Sequence, residues 1–154
     1  MINKFLQRRE NTFLGKLGLV GAAFAFLVIY TPLFVFLVGP MFRSGTYGDG
    51  PMQPIELFIR ACVIAPLWEE MAFRYVPLQL AKGFGEEKFS LPMIVCSSVF
   101  FGIIHGGPGN IFVQGIAGLC LSAVYIKSNY SLWTNMTLHG LWNTFVMFII
   151  PLYA

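Results

Sequence analysis

Two adjacent glutamates and an arginine, Glu69, Glu70 and Arg74, lie inside a stretch of sequence that is otherwise apolar enough to cross a membrane. A charged side chain at the centre of a bilayer costs about 2.5–3.5 kcal/mol on insertion scales, so such residues usually belong to a functional site. On a helix, Glu70 and Arg74 are four residues apart and share a face, which favours an ion pair. Glu69 lies about 100° from Glu70 around the helix. We therefore expect Arg74 to hold Glu70, and Glu69 to face a cavity shared with polar residues from later in the chain.

Three further polar residues fall within or at the end of later apolar stretches. They are the only two histidines of the chain, His105 and His139, and Asn143, which follows His139 by one helical turn on the same face. At 1.5 Å per residue from the neighbouring polar loops, Glu69 and Asn143 are both roughly 18 Å deep. The histidines are roughly 21 and 12 Å deep by the same count. Three helices therefore deliver four polar side chains to one layer, where isolated polar groups would lack partners.

The chemistry that this set favours is hydrolysis by an activated water molecule. A carboxylate beside a neutral imidazole can take a proton from water, which produces a nucleophile for attack on a peptide carbonyl. A second histidine and an asparagine on one helical face can donate hydrogen bonds to the developing oxyanion. No Ser/His/Asp or Cys/His set with a nucleophile elbow is present, so covalent acyl-enzyme chemistry is less favoured.

Each of these residues also has a purely structural interpretation. Glu70 and Arg74 can be no more than a neutralised pair. A lone histidine in an apolar helix is commonly a hydrogen-bonded core residue, and His139 with Asn143 can form an interhelical clamp. Phe101 is expected to pack. What favours a site is the coincidence of residue type, depth and order.

The composition places these residues in a polytopic membrane protein. The chain is 56% hydrophobic and only 11% charged, with a mean hydropathy of +0.70, which is far too apolar for an ordinary soluble domain. Its net charge of +3 is small and its basic residues are not gathered into a groove, which argues against nucleic-acid binding. Cys62, Cys96 and Cys120 lie in apolar segments without paired spacing, so we expect them to be reduced.

We expect an all-α fold with about five transmembrane helices. The predicted helices cover residues 17–38, 55–80, 91–105, 111–126 and 132–150, with a polar turn at 83–90 and a Gly-rich break after His105. Small residues on the fourth helix are expected to permit close helix packing. We divide the chain into a basic N-terminal segment, a first helix retained as a signal anchor and an outer loop (1–53), and a four-helix core (54–154).

The distribution of lysine and arginine predicts the orientation. With the N-terminus in the cytoplasm, the cytoplasmic segments hold Lys4, Arg8, Arg9, Lys16, Lys82, Lys88 and Lys127, whereas the outer loops hold only Arg43. This bias predicts a cytoplasmic N-terminus and an external C-terminus. Glu56 and Arg60, four residues apart near the outer surface, are expected to pair.

Three motifs resemble those of the CAAX-prenyl-protease and bacteriocin-processing family of intramembrane endopeptidases, called CPBP or Abi. Residues 69–74 match the family's E-E-x-x-x-R, residues 101–105 match F-x-x-x-H, and residues 139–143 match H-x-x-x-N. Together they cover the chain from about residue 54 to 151. The resemblance implies that the last four helices form the catalytic core of an intramembrane protease.

The resemblance also implies a role for each motif residue. Water activation falls to Glu69 and His105, oxyanion binding to His139 and Asn143, and support to Glu70, Arg74 and Phe101. A zinc site would use Glu69, His105 and His139. However, no H-E-x-x-H helix is present, and a metal would take both histidines from these roles, so a metal-free mechanism is favoured.

The expected substrate is a peptide or membrane protein, with a CAAX-type protein as one candidate. Two alternative functions stay open at this point. One is an immunity or scaffold protein that binds a peptide without cleaving it, and the other is a proton or ion carrier. A carrier fits less well because all the polar groups lie in one layer and the spans have no repeat symmetry.

Overall fold

The computed structural model describes residues 9–38, 53–106 and 108–148, and every regular element among them is helical. Helix α1 is Phe13–Val38. A long helical run then comprises α2 (Pro54–Phe58), a first π-helical segment (Ile59–Ile64), α3 (Ala65–Glu70), a second π-helical segment (Met71–Tyr75) and α4 (Val76–Ile104). The 3-10 turn Pro108–Phe112 leads into α5 (Gln114–Lys127), and α6 is Leu132–Phe148. The predicted all-α fold is confirmed.

Three helical stretches among the described residues are long and apolar enough to cross a membrane: Phe13–Leu37, Pro54–Ile104 and Pro108–Lys127. The second stretch has 51 residues, more than twice the roughly 20 that one crossing needs, and contains the predicted second and third helices. The predicted fifth helix corresponds to α6, which has 17 residues. The chain is an integral membrane protein.

The long stretch is divided at Gly85. The predicted polar turn over residues 83–90 is wrong in extent, because the chain stays helical there except at Gly85, with φ 123° and ψ 94°. Glycine adopts this conformation without a steric penalty. The two halves fold back on each other, since the Arg74 guanidinium lies 4.2 Å from the ring centroid of Phe101, whereas a straight helix would separate them by about 40 Å.

The other end of α4 lies where the sequence places it. The helix ends at Ile104 with His105 as its C-cap, and the next residue, Gly106, has a φ of 134°. The following element differs from the prediction, because residues 108–112 form a 3-10 turn and α5 begins only at Gln114. Gly102 lets this turn approach closely, since a Cβ on it would lie 2.6 Å from the Cα of Ile111.

Helix α5 is the centre of the packing. Its side chains enter three buried clusters, one with α1 and α6 (Val20, Leu121, Val124, Leu138), one with α4 (Leu78, Ile94, Tyr125, Ile126), and one with α1 and α6 (Leu27, Ala117, Trp142). The predicted close approach of small residues is confirmed, because a Cβ on Gly115 or Gly118 would lie within 3.2 Å of Ser98 on α4. This packing fixes α4 and α6 around α5.

Several predictions concern residues outside the described ranges. They include Lys4, Arg8 and Arg43 of the charge distribution, most of the outer loop, and the end of the last helix. The orientation of the termini therefore stays a prediction. The predicted pair of Glu56 and Arg60 is confirmed, with an N–O distance of 2.8 Å.

Candidate active site

Two π-helical segments flank α3, which carries both glutamates, and each is followed by a proline. In the first, the N–H of Ala65 bonds to the carbonyl of Arg60, five residues earlier. The carbonyl of Ala61 would then need the N–H of Pro66, which a proline lacks. It accepts a hydrogen bond from Nδ2 of Asn143 instead, at 2.7 Å. The local sequence thus creates the acceptor that holds Asn143 of α6 against the start of the glutamate helix.

The same segment brings α6 close at a second point. A Cβ on Gly140 would lie 2.6 Å from the carbonyl oxygen of Cys62, so a side chain there would need the backbone to move. Gly140, which lies between His139 and Asn143, therefore sets the distance between the two helices. Both polar residues of the third motif are placed by this contact.

Glu70 lies at the centre of the site and is fully buried. Its Oε1 atom is 2.6 Å from Nδ1 of His139 and 3.3 Å from Nη1 of Arg74, which is also fully buried. Its Oε2 atom accepts a hydrogen bond from Nδ2 of Asn135. The predicted pairing of Glu70 with Arg74 is confirmed. Burial of a carboxylate is costly unless it is paired and hydrogen-bonded, and Glu70 is both.

Glu69 faces the two histidines. Its Oε2 atom lies 3.7 Å from Nε2 of His105 and 3.4 Å from Nε2 of His139. Its side chain is 22% exposed, and that of His105 is 15% exposed. The three residues that the sequence placed at one depth are therefore brought into contact distance, on the accessible side of a centre whose other glutamate is buried.

The Nδ1 atom of each imidazole is held by a neighbouring acceptor, and this determines how the ring faces Glu69. In His105, Nδ1 is 2.7 Å from the carbonyl oxygen of Phe101, and since a carbonyl only accepts, this nitrogen carries the proton. In His139, Nδ1 donates to the Glu70 carboxylate by the same reasoning. The Nε2 atoms of both rings therefore point towards Glu69 Oε2, which has no hydrogen-bond partner among the described residues. The carboxylate oxygen of Glu69 and the two Nε2 atoms therefore converge on one point, where a water molecule can bond to them.

Phe101 lies between His105 and Arg74. Its ring packs against the imidazole of His105 at 4.3 Å between centroids, and the guanidinium of Arg74 stacks on it at 4.2 Å. A cation over an aromatic face is stabilised by the ring quadrupole. The expectation that Phe101 packs is confirmed by its 1% exposure, and its carbonyl in addition fixes the orientation of His105.

Two residues of the site were not found from the sequence. Asn135 lies four residues before His139 and eight before Asn143, so the three share one face of α6, and this spacing is a signal that was available. Gly118 makes room for Arg74, since a Cβ there would lie 3.0 Å from the Nη2 atom of Arg74. Nothing local in the sequence marks Gly118 among the other small residues of α5.

Glu69, His105 and His139 are the residues that a metal centre would use. Within the described ranges, no group of three His, Cys, Asp or Glu side chains is arranged to hold a metal ion. The Oε2–Nε2 distances of 3.4 and 3.7 Å between Glu69 and the histidines are compatible with a water molecule that bonds to these atoms from one side.

The fold and the site together define an all-α integral membrane protein with a buried centre of carboxylates and histidines. The family model of the type II CAAX prenyl endopeptidase Rce1-like proteins matches residues 51–145, which include every residue of the centre. The chain belongs to this family of CAAX-type intramembrane endopeptidases. The resemblance to the CPBP family that the three motifs predict is therefore confirmed. Comparisons with characterised proteins and with solved structures give no significant match.

Proposed function

We propose that this protein cleaves a peptide bond within the membrane by means of a water molecule that Glu69 and His105 activate. The observation that carries the proposal is the convergence of Glu69 Oε2 with the Nε2 atoms of His105 and His139 at 3.7 and 3.4 Å. A water molecule at this point donates one proton towards the carboxylate and the other towards an imidazole. Its oxygen lone pairs then face away from the acceptors, towards a substrate carbonyl.

The proposed reaction needs one group that takes a proton from the water and later gives it to the leaving amine. Glu69 takes a proton from the water as the oxygen attacks the carbonyl carbon, which forms the C–O bond and a tetrahedral oxyanion. When the oxyanion collapses, the C–N bond breaks and the leaving amine takes the proton from Glu69. The side chain of Glu69 is 22% exposed whereas that of Glu70 is fully buried, which favours Glu69 over Glu70 for this role.

Asn143 and His139 are the proposed donors to the oxyanion. One N–H of the Asn143 amide is bound to the carbonyl of Ala61, which leaves the second N–H for the substrate. His139 donates through Nε2, and this requires a proton on both ring nitrogens. The Glu70 carboxylate at Nδ1 offsets the resulting positive charge.

The proposed mechanism uses no metal. The histidine atoms that would bind zinc are the Nε2 atoms, which the mechanism needs for the water and the oxyanion. The proposed substrate is a peptide or a membrane protein, with a CAAX-type protein as the candidate that the family description names. The proposed orientation places the N-terminus in the cytoplasm and the C-terminus outside.

The function is tested by comparing the peptides and membrane proteins of native membranes that carry the wild type or Glu69→Ala. Mass spectrometry is expected to find cleavage products only with the wild type. Glu56→Gln is the matched control, because this exposed glutamate precedes the site on the same helical run and pairs with Arg60. Identical products from the wild type and Glu69→Ala, with both proteins folded, would instead favour a binding or immunity protein.

A further inference from the structure

Asn135 contacts the buried centre from outside the three sequence motifs. It lies on α6 one turn before His139, is fully buried, and donates from Nδ2 to Oε2 of Glu70. His139 donates from Nδ1 to the other oxygen of the same carboxylate. One face of α6 therefore binds both oxygens of a glutamate that belongs to α3.

Arg74, the remaining partner of Glu70, provides a positive charge nearby but no directional hydrogen bond. Arg74 lies 3.3 Å from Oε1, but none of its guanidinium nitrogens makes a hydrogen bond to the described residues. A carboxylate that is held only by a nearby cation can rotate about its terminal bond, since this torsion has a broad energy profile. The plane of the Glu70 carboxylate is therefore fixed by the two donors of α6.

We propose that Asn135 is a positioning residue for His139. By holding Oε2, it directs Oε1 at Nδ1 of His139, and this contact keeps the proton on Nδ1 and directs Nε2 towards Glu69. Asn135 touches neither the substrate nor the water in this scheme. The inference deepens the proposed function, because it assigns to Asn135 the orientation of an imidazole that the proposed reaction uses.

Two substitutions separate the hydrogen bond from the space that Asn135 fills. Asn135→Ala removes the donor, and we expect kcat to fall on the order of 10²-fold, as misplacement of a reacting group by about 1 Å does. Asn135→Asp keeps the shape but replaces the donor with an acceptor. Two carboxylates in contact cannot both stay ionised, so this variant should hold one extra proton between the introduced carboxylate and Glu70, which weakens the negative charge that His139 faces. We therefore expect kcat to fall and its pH profile to differ from that of the wild type.

The matched control is Thr137→Val on the same helix. Thr137 is exposed, and its hydroxyl bonds to the carbonyl of Trp133 within α6 at 2.9 Å. This variant should keep the activity and the pH profile of the wild type. An Asn135→Asp variant with the same pH profile as the wild type would overturn the positioning role.

A second readout does not depend on proteolysis. The chain has two histidines, so the protein labelled with ¹⁵N-histidine gives signals from two imidazoles, and a His105→Gln background leaves only His139. In the His105→Gln protein with Asn135 intact, we expect a single form of His139 with a protonated Nδ1. When Asn135→Ala is added, we expect a mixture of protonation forms of His139. Unchanged ¹⁵N shifts in Asn135→Ala would overturn the inference.

The two readouts also separate this inference from the proposed function. If the wild type cleaves nothing while the ¹⁵N shifts of His139 change in Asn135→Ala, the proposed function fails and the positioning of His139 stands. If the wild type is a protease and neither the shifts nor kcat change in Asn135→Ala, the positioning role fails and the protease stands.

Discussion

The Nδ1 atom of His139 lies 2.6 Å from the Oε1 atom of Glu70, so the histidine of the last helix contacts the second glutamate of the pair as well as the first. One imidazole thereby bridges a fully buried carboxylate and a partly exposed one. The two glutamates have different environments although they are neighbours in sequence, and this difference leads to distinct predictions for their substitution.

Loss of the Glu70 side chain is expected to destabilise the protein, whereas loss of the Glu69 side chain is not. Glu70→Ala leaves Arg74 buried without its counterion, and breaking a buried pair in this way typically costs about 3–5 kcal/mol. Glu69→Ala removes a side chain that has no hydrogen-bond partner on Oε2 among the described residues. Thermal unfolding in detergent, followed by tryptophan fluorescence, should give a lower Tm for Glu70→Ala alone. Equal losses in the two variants would contradict this assignment.

A methyl group on Gly118 is expected to displace Arg74. The new Cβ would lie 3.0 Å from the Nη2 atom of Arg74 and 3.2 Å from the Cα of Ser98, and the backbone on that side cannot easily move. Overpacking of this kind typically costs about 1–3 kcal/mol, so Gly118→Ala should lower the Tm and the activity together.

The control for this substitution is Gly21→Ala on α1, where a Cβ would meet nothing within 4 Å. Alanine is the better helix former, so this variant should be as stable as the wild type or slightly more so. A Gly118→Ala protein with the Tm and activity of the wild type would show that Arg74 does not depend on this space.

The metal-free mechanism predicts that a strong chelator leaves the activity of the purified protein unchanged. The reason is that Glu69 and the two histidines act on water directly, without a Lewis acid. The measurement is cleavage of an identified substrate before and after treatment with the chelator, followed by addition of zinc. Activity that disappears with the chelator and returns with zinc would contradict the mechanism.

Ionisation of Tyr130 gives a pH-dependent test of the packing between the loop before α6 and the bend at Gly85. Its hydroxyl donates to Oε1 of Glu86 at 2.5 Å, and burial, followed by this hydrogen bond, raises the pKa of Tyr130 to about 12. A raised pKa means that the neutral form is favoured in the folded state. The resulting stability is present below about pH 10, the ordinary tyrosine pKa, and is lost as the pH rises through the folded value.

The tyrosinate absorbance of the wild type minus that of Tyr130→Phe isolates this titration from the other tyrosines. The difference curve should have its midpoint near 12. Glu86→Gln should lower the midpoint, because it removes the carboxylate that accepts from the hydroxyl. A midpoint at the ordinary value of about 10 in the wild type would contradict the contact.

Much of the candidate site followed from spacing and hydropathy. The pairing of Glu70 with Arg74 depends on a single helix, so the four-residue spacing sufficed to predict it. The meeting of Glu69 with the two histidines was predicted because polar groups inside apolar helices need partners, and few others were present at that depth. Helical periodicity and the cost of burying an unpaired polar group are therefore enough to predict both contacts.

The remaining features depend on contacts between helices that spacing does not specify. The partner of Asn135 is set by how α6 is rotated against α3, and the sequence of either helix alone leaves this rotation open. The polar residues at 83–90 suggested a loop, but one glycine at position 85 makes the bend while its neighbours stay helical. The π-helical turn that frees the Ala61 carbonyl is likewise invisible to hydropathy, because it changes only which carbonyl each backbone N–H bonds to.

The central claim is that Glu69 activates a water molecule whose oxygen enters the product, and incorporation of ¹⁸O tests it most directly. Membranes carrying the wild type or Glu69→Gln would be incubated in H₂¹⁸O, and the new carboxyl termini examined by mass spectrometry. The account predicts ¹⁸O at one new carboxyl terminus per cleavage with the wild type and no such product with Glu69→Gln. Equal labelling in the two, or cleavage products of the wild type without ¹⁸O, would contradict it.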